Sequence, residues 1–142
     1  MSSAMNVLTL IERAHEAIGV AYAAESAFAR HRAAQLAALR AAAAVVAARS
    51  RRSRPGQAAR TTGPVSLWEV LPRLAPELGE WAGHFAVVTR RLTLVESGRI
   101  GVGAREADDV LRDAEMFLAQ VEVVVGLPVR VAPARLVPVR SA

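Results

Sequence analysis

The sequence predicts an all-α protein: an antiparallel four-helix bundle with a long basic loop between the second and third helices and an irregular C-terminal tail. Three observations lead there. Large apolar residues recur at three- and four-residue spacing in four separate stretches. Alanine, the strongest helix former, supplies much of the 53% apolar content. No stretch has the partner that a strand needs: Val121 to Val125 is rich in valine, but it would stand alone. The 142 residues suit one domain, and a chain of that size buries roughly two-thirds of its unfolded surface. Residues 1–127 form the expected bundle and residues 128–142 the expected tail.

The first helix is expected from about Val7 to Ala24, with Asn6 as its cap and Val7, Leu8, Ile11, His15, Ile18 and Tyr22 along one face. Ser26 caps the second, which extends to about Arg49 and presents Leu36, Leu39, Ala43 and Val46 as its apolar stripe. Its many alanines permit close neighbours. Ser50 to Val65 carries two prolines and two glycines and no large apolar residue before Val65, so it reads as a loop within the domain. Ser66 and Glu69 form a capping box that opens a short helical piece bearing Leu67, Trp68 and Leu71, which Pro72 must kink or stop.

Pro76 suits the first turn of the third helix, about Glu77 to Glu96, with Leu78, Trp81, Phe85, Val88 and Leu92 on its face. Gly98, Gly101 and Gly103 make the next connection. The fourth helix runs from about Ala104 to Val124, with Glu106, Asp108 and Asp109 where the helix dipole favours negative charge. Its stripe is Ala107, Val110, Leu111, Ala114, Leu118, Val121 and Val125. The tail, VRVAPARLVPVRSA, has no helical period and is expected to be extended or disordered.

Charge is unevenly placed. The net charge is +5, all eighteen basic residues are arginine, and no acid occurs between Glu25 and Glu69. Seven arginines lie in FARHRAAQLAALRAAAAVVAARSRRSR, ending in a cluster at Arg49, Arg51, Arg52 and Arg54. By contrast, Arg105 to Glu122 holds six acids against two arginines. An acidic fourth helix is thus available to meet the basic second one, within the fold or across a dimer. The basic end attracts phosphate through counterion release. Arg32, Arg49, Arg51, Arg52 and Arg54 are the expected nucleic-acid contacts. No aromatic residue interleaves with them, so these contacts would be to the backbone, with little sequence specificity. Arg30 and Arg32 also have a plain structural use, as solvated side chains or partners of an acid such as Glu25.

Several function classes are excluded. Without cysteine there is no disulfide, thiol nucleophile or thiolate metal site. Glu12 and His15 are spaced like half of a di-iron site, but the second pair and two further glutamates are missing; Glu80 and His84 have the wrong spacing. No metal or cofactor is expected. The three glycines of the last connection follow no strand and precede no lysine, so they form no phosphate loop. The first residues lack the basic start and unbroken apolar core of a signal peptide, since Glu12, Arg13 and His15 intrude, and Arg40 divides the longest apolar run, leaving far fewer than the roughly 20 residues that a membrane helix needs. A cytoplasmic protein with no membrane association is expected.

The second helix resembles the motif-bearing helix of HEPN domains, small helical bundles in which an arginine is often followed four to six residues later by histidine. The corresponding text here is Arg30, then HRAA, then Gln35. The small actinobacterial subgroup is similar around WEVLPRLAPELGEW and READDVLRDAEMFL as well. The resemblance implies a homodimer with the motif facing a shared cleft and, in active members, RNA cleavage without metal. Such cleavage needs a group that moves the ribose hydroxyl proton and a cation that stabilises the phosphorus centre. Gln35 stands in the histidine position, and an amide is no general base. His31 lies one turn earlier on the same face, displaced by about 6 Å.

The expectation is therefore a non-catalytic homodimer that binds RNA or another polyanion through a degenerate motif of Arg30, His31 and Gln35. A metal-independent endoribonuclease using Arg30 with His31 is the first alternative. An adaptor whose basic helix docks on an acidic protein partner is the second.

Overall fold

The computed structural model describes the backbone of residues 3–50 and 63–127 and the side chains of residues 6–50 and 66–127. Arg51, Arg52, Arg54 and the 128–142 tail lie outside the described residues. Among the described residues there are five α-helices and no strand: α1 (Ser3–Ala23), α2 (Ala27–Ser50), α3 (Gly63–Leu74), α4 (Gly79–Glu96) and α5 (Ala104–Val124). A single 3-10 turn, Pro76–Leu78, links α3 to α4.

Four boundaries differ from the sequence reading, each for a local reason. α1 begins before Asn6, which lies inside the helix instead of capping it. α3 begins at Gly63, so the loop is shorter than expected and the short piece becomes a full helix. Pro64 occupies its first turn, where a missing N–H costs nothing. Pro72 sits inside α3, which ends two residues later. α4 starts at Gly79, because Pro76–Leu78 takes the tighter 3-10 turn. Ser26 does cap α2: its Oγ accepts the Ala29 N–H at 3.0 Å.

Two glycines close helices in the left-handed region. Gly98 has φ 79° and Gly126 φ 82°. In both places the following N–H reaches back five residues, Arg99 to the Leu94 carbonyl at 3.1 Å and Leu127 to the Glu122 carbonyl at 2.8 Å. This closure satisfies a terminal carbonyl and turns Leu127 back against the core.

α2 is the packing axis, lying closest to α1 and α5 and also touching α3 and α4. Its fully buried side chains are mostly alanine: Ala34, Ala37, Ala38, Ala41, Ala42 and Ala44, with Val45. The expected stripe is not the buried face. Leu36 is 38% exposed, and Leu39, Ala43 and Val46 are only half-buried. An alanine face lets neighbouring backbones come near enough for dense contact, so these small residues take the interior and the leucines are pushed outward. α1 shows the same effect. Ile11, Ala14, Ala17, Ile18 and Ala21 are buried, whereas Leu8 and Tyr22 of the expected stripe are exposed.

α2 and α5 run parallel, as the pairing of Arg30 with Asp108 near their first turns shows. α1 is antiparallel to α5 through His15–Glu122 and Tyr22–Glu115, and α4 through His84–Asp113 and Arg91–Glu106. Between α3, α4 and α5 the packing changes from alanine to aromatic. Trp68 stacks on Phe85 at a 5.3 Å centroid distance, and Phe117 lies 5.4 Å from Phe85 and 5.7 Å from Trp81. Trp68 is buried, as expected of a core anchor; Trp81 is half-buried.

Two kinds of core predict different sensitivities. Ala38→Leu is expected to destabilise by about 1–3 kcal/mol through overpacking, Phe117→Ala by about 3–5 kcal/mol through a cavity. Leu36→Ala is expected to cost less than about 1 kcal/mol. Urea unfolding of the three variants measures the order.

Candidate functional site

The three motif residues sit on the first three turns of α2, yet they point to different neighbours. Arg30 and Gln35 are separated by about 140° around the helix and about 7.5 Å along it. Arg30 is only partly exposed, and each of its three guanidinium nitrogens donates. Nε donates to the Ala21 carbonyl at 3.0 Å, Nη2 to the Tyr22 and Ala24 carbonyls at 3.3 Å each, and Nη1 to Asp108 Oδ1 at 2.8 Å. The last carbonyls of a helix have no partner within it. Arg30 therefore closes the end of α1 and ties it to the start of α5. Its acid partner is Asp108, not Glu25.

Gln35 is 5% exposed. Its Nε2 donates to Thr89 Oγ1 at 3.0 Å, and the same oxygen accepts Trp68 Nε1 at 2.9 Å. One hydroxyl thus joins α2, α3 and α4 inside the core. Thr89 escaped the sequence reading, although its position four residues after Phe85 places it on the buried face of α4.

His31 is 1% exposed. Among the described residues neither ring nitrogen has a hydrogen-bond partner. Its Nε2 lies 3.8 Å from Glu106 Oε2 on α5. That carboxylate is held in turn by Arg91 of α4, through Nε and, at 2.8 Å, through Nη2. Burial pushes the His31 imidazole below its ordinary 6.5; Glu106 opposes this and Arg91 adds to it. The Arg91 hydrogen bond holds Glu106 below the ordinary carboxylate value.

The nucleic-acid candidates divide. Arg32 is well exposed, with Glu96 Oε2 at 4.0 Å. Arg49 is committed to the fold: it donates to the Leu74 carbonyl at 3.0 Å and to both oxygens of Glu77, at 3.2 and 2.7 Å. It closes the end of α3 much as Arg30 closes α1. The acidic fourth helix of the sequence reading, α5, does meet the basic helix within the fold, through Arg30 and Asp108. An open groove of about 640 Å³ lies between the start of α4 and α5, where Trp81 and His84 stand among Glu77, Glu80 and Asp113. Its carboxylates disfavour phosphate. His84 Nε2 is 3.0 Å from Asp113 there, and His15 Nε2 is 2.9 Å from buried Glu122.

Among the described residues no group of three or more histidines and carboxylates is placed to hold a metal, and no helix is long and apolar enough to cross a membrane.

These features define a small all-α protein built around an alanine-rich central helix, with Gln35 hydrogen-bonded inside the core and His31 buried beside it. A family model described as SAV_6107-like HEPN matches residues 21–122, from the end of α1 to the last turn of α5. The chain belongs to this HEPN family. No curated protein and no solved structure gives a match.

Thr89→Val is expected to strand two buried donors and to cost about 1–3 kcal/mol for each, measured by urea unfolding. The pH dependence follows from His31. Unfolded, the ring binds its proton near 6.5; folded, it resists protonation. The unfolded chain therefore holds more protons below that value, so stability is full above about pH 6.5 and falls as the pH drops through it. His31→Leu is expected to flatten the slope between about pH 7 and 5.5, where Glu106 does not yet titrate. Urea midpoints across that range supply the test.

Proposed function

We propose that this HEPN-family protein is a non-catalytic homodimer that binds RNA or a similar polyanion, its Arg30 to Gln35 stretch being a degenerate form of the arginine and histidine motif. One observation carries the reading: all three motif residues are turned to internal work. Cleavage by the chemistry expected of active members needs a proton-transfer group in contact with the ribose and a cation free to meet the phosphate. Gln35 is an amide bonded to Thr89, His31 is shut off from solvent, and every nitrogen of the Arg30 guanidinium already donates.

Binding is supported by the charge that remains outside. Arg32, Arg90 and Arg105 are exposed, and Arg51, Arg52 and Arg54 add to the acid-free stretch of the sequence. Phosphate contacts from such residues hold a nucleic acid without reading its bases. Exposed Val87 and Leu94 on α4 and Met116 on α5 offer apolar surface that a second copy would cover. A cysteine-free chain fits a reducing cytoplasm.

The test is incubation with structured and unstructured RNA in chelator, followed by gel analysis, filter binding and light scattering. The wild type is expected to leave RNA intact and to bind it with an affinity that falls steeply with salt, each phosphate contact adding about 0.7 to the logarithmic slope on a single strand. The scattering mass is expected to be that of two chains. Cleavage by the wild type that disappears in a folded Arg30→Ala variant would overturn the non-catalytic reading. Cleavage gained only in Gln35→His would support it.

A further inference from the structure

The buried imidazole of His31 is the one polar group at the meeting of α2, α4 and α5 for which the described residues supply no partner. The charged groups acting on the ring are Arg91 from α4 and Glu106 from α5. On its own helix, Arg30 turns to α1 and Asp108, and Arg32 to Glu96. Glu106 thus stands between two bases, held by one and 3.8 Å from the other.

We propose that His31 is a proton-operated latch on the α4–α5 ion pair, in which the protonated ring takes Glu106 Oε2 from Arg91 Nε and leaves the guanidinium held by one hydrogen bond. Three features favour this exchange. A neutral imidazole has one N–H and one lone pair, and here both are buried without a partner; a second proton makes both nitrogens donors and gives the ring a charge that the interior cannot solvate. The carboxylate facing the ring is Glu106, whose Oε2 lies 3.8 Å from Nε2, about 0.6 Å beyond hydrogen-bond reach. The competing cation, Arg91, is itself 43% exposed on its side chain, so its freed N–H groups pass directly into water. The proton comes from solvent and no bond other than hydrogen bonds is exchanged.

Resting on the polyanion reading, a consequence follows for binding. Freed Arg91 stands beside exposed Arg90 and within the same bundle end as Arg32, so acidification adds a phosphate-binding cation there. The latch itself depends only on the three side chains and is measurable without RNA.

The experiment is a pH titration of the full chain by NMR from about pH 8 downward until the fold is lost, following the His31 ring and the Arg91 Nε–Hε group together; a ring that stays neutral throughout would overturn the latch. The expected result is that Arg91 Hε exchange with water, divided by the rate of a free arginine side chain at the same pH, rises on the order of tenfold, the factor carried by one net hydrogen bond, in step with His31 protonation. The same rise is expected to be absent in His31→Gln. An Arg91 signal unchanged while His31 titrates would overturn the latch, as would a rise that persists in His31→Gln. The wild-type titration decides the matter even if that variant does not fold. RNA added to the same samples reads the binding proposal separately: absence of binding at every pH refutes that proposal and leaves the Arg91 result standing.

Discussion

The close approach of α1 and α5 to α2 is the constraint from which the remaining structure follows. It exists because α2 turns alanines inward over about three and a half helical turns, from Ala33 to Val45. With so little side-chain volume between the backbones, helices that would sit diagonally in a square bundle become neighbours, and the parallel pair α2 and α5 forms the interior. The bulky groups are displaced to the other side, where Trp68, Phe85 and Phe117 fill the wider space among α3, α4 and α5. A chain this poor in aromatics builds its core partly from contact density and partly from one aromatic layer.

A tightly enclosed helix can keep polar residues only if the fold satisfies them. Gln35 meets this condition through Thr89, which also serves Trp68. Arg30 meets it by collecting the open carbonyls at the end of α1 and the Asp108 carboxylate. His31 does not, and depends instead on remaining neutral beside the Arg91–Glu106 pair. Arg30 and Gln35 therefore bind the bundle together.

Much of the architecture was legible in the sequence because helix punctuation is local chemistry. Ser26 as a cap, the glycine stops after α4 and α5, and the inward faces of α4 and α5 all follow from spacing and turn residues. The buried face of α2 was not legible in the same way. Apolar pattern reading weights leucine over alanine, and on a helix with alanine on every side it selects Leu36, which the close packing expels. Phe117 was passed over for a related reason: it adjoins Leu118, and the aromatic layer it joins is assembled from three separate helices. The carboxylates that face Arg30 and His31, Asp108 and Glu106, lie more than seventy residues away on α5, a distance no local pattern spans. Arg30, His31 and Gln35 could be singled out as residues, but the bonding of Arg30 and Gln35 and the burial of His31 are properties of the packed bundle.

Native-state hydrogen exchange measures most directly whether α2 is the axis on which the other helices depend. Amides that open only when the whole molecule unfolds report the global stability, whereas those on dispensable elements open at lower cost. The α2 amides from Ala34 to Val45 are expected to be the slowest in the protein and to share one opening free energy equal to that of global unfolding. Exchange of that stretch through a local opening, with α4 and α5 still protected, would contradict this.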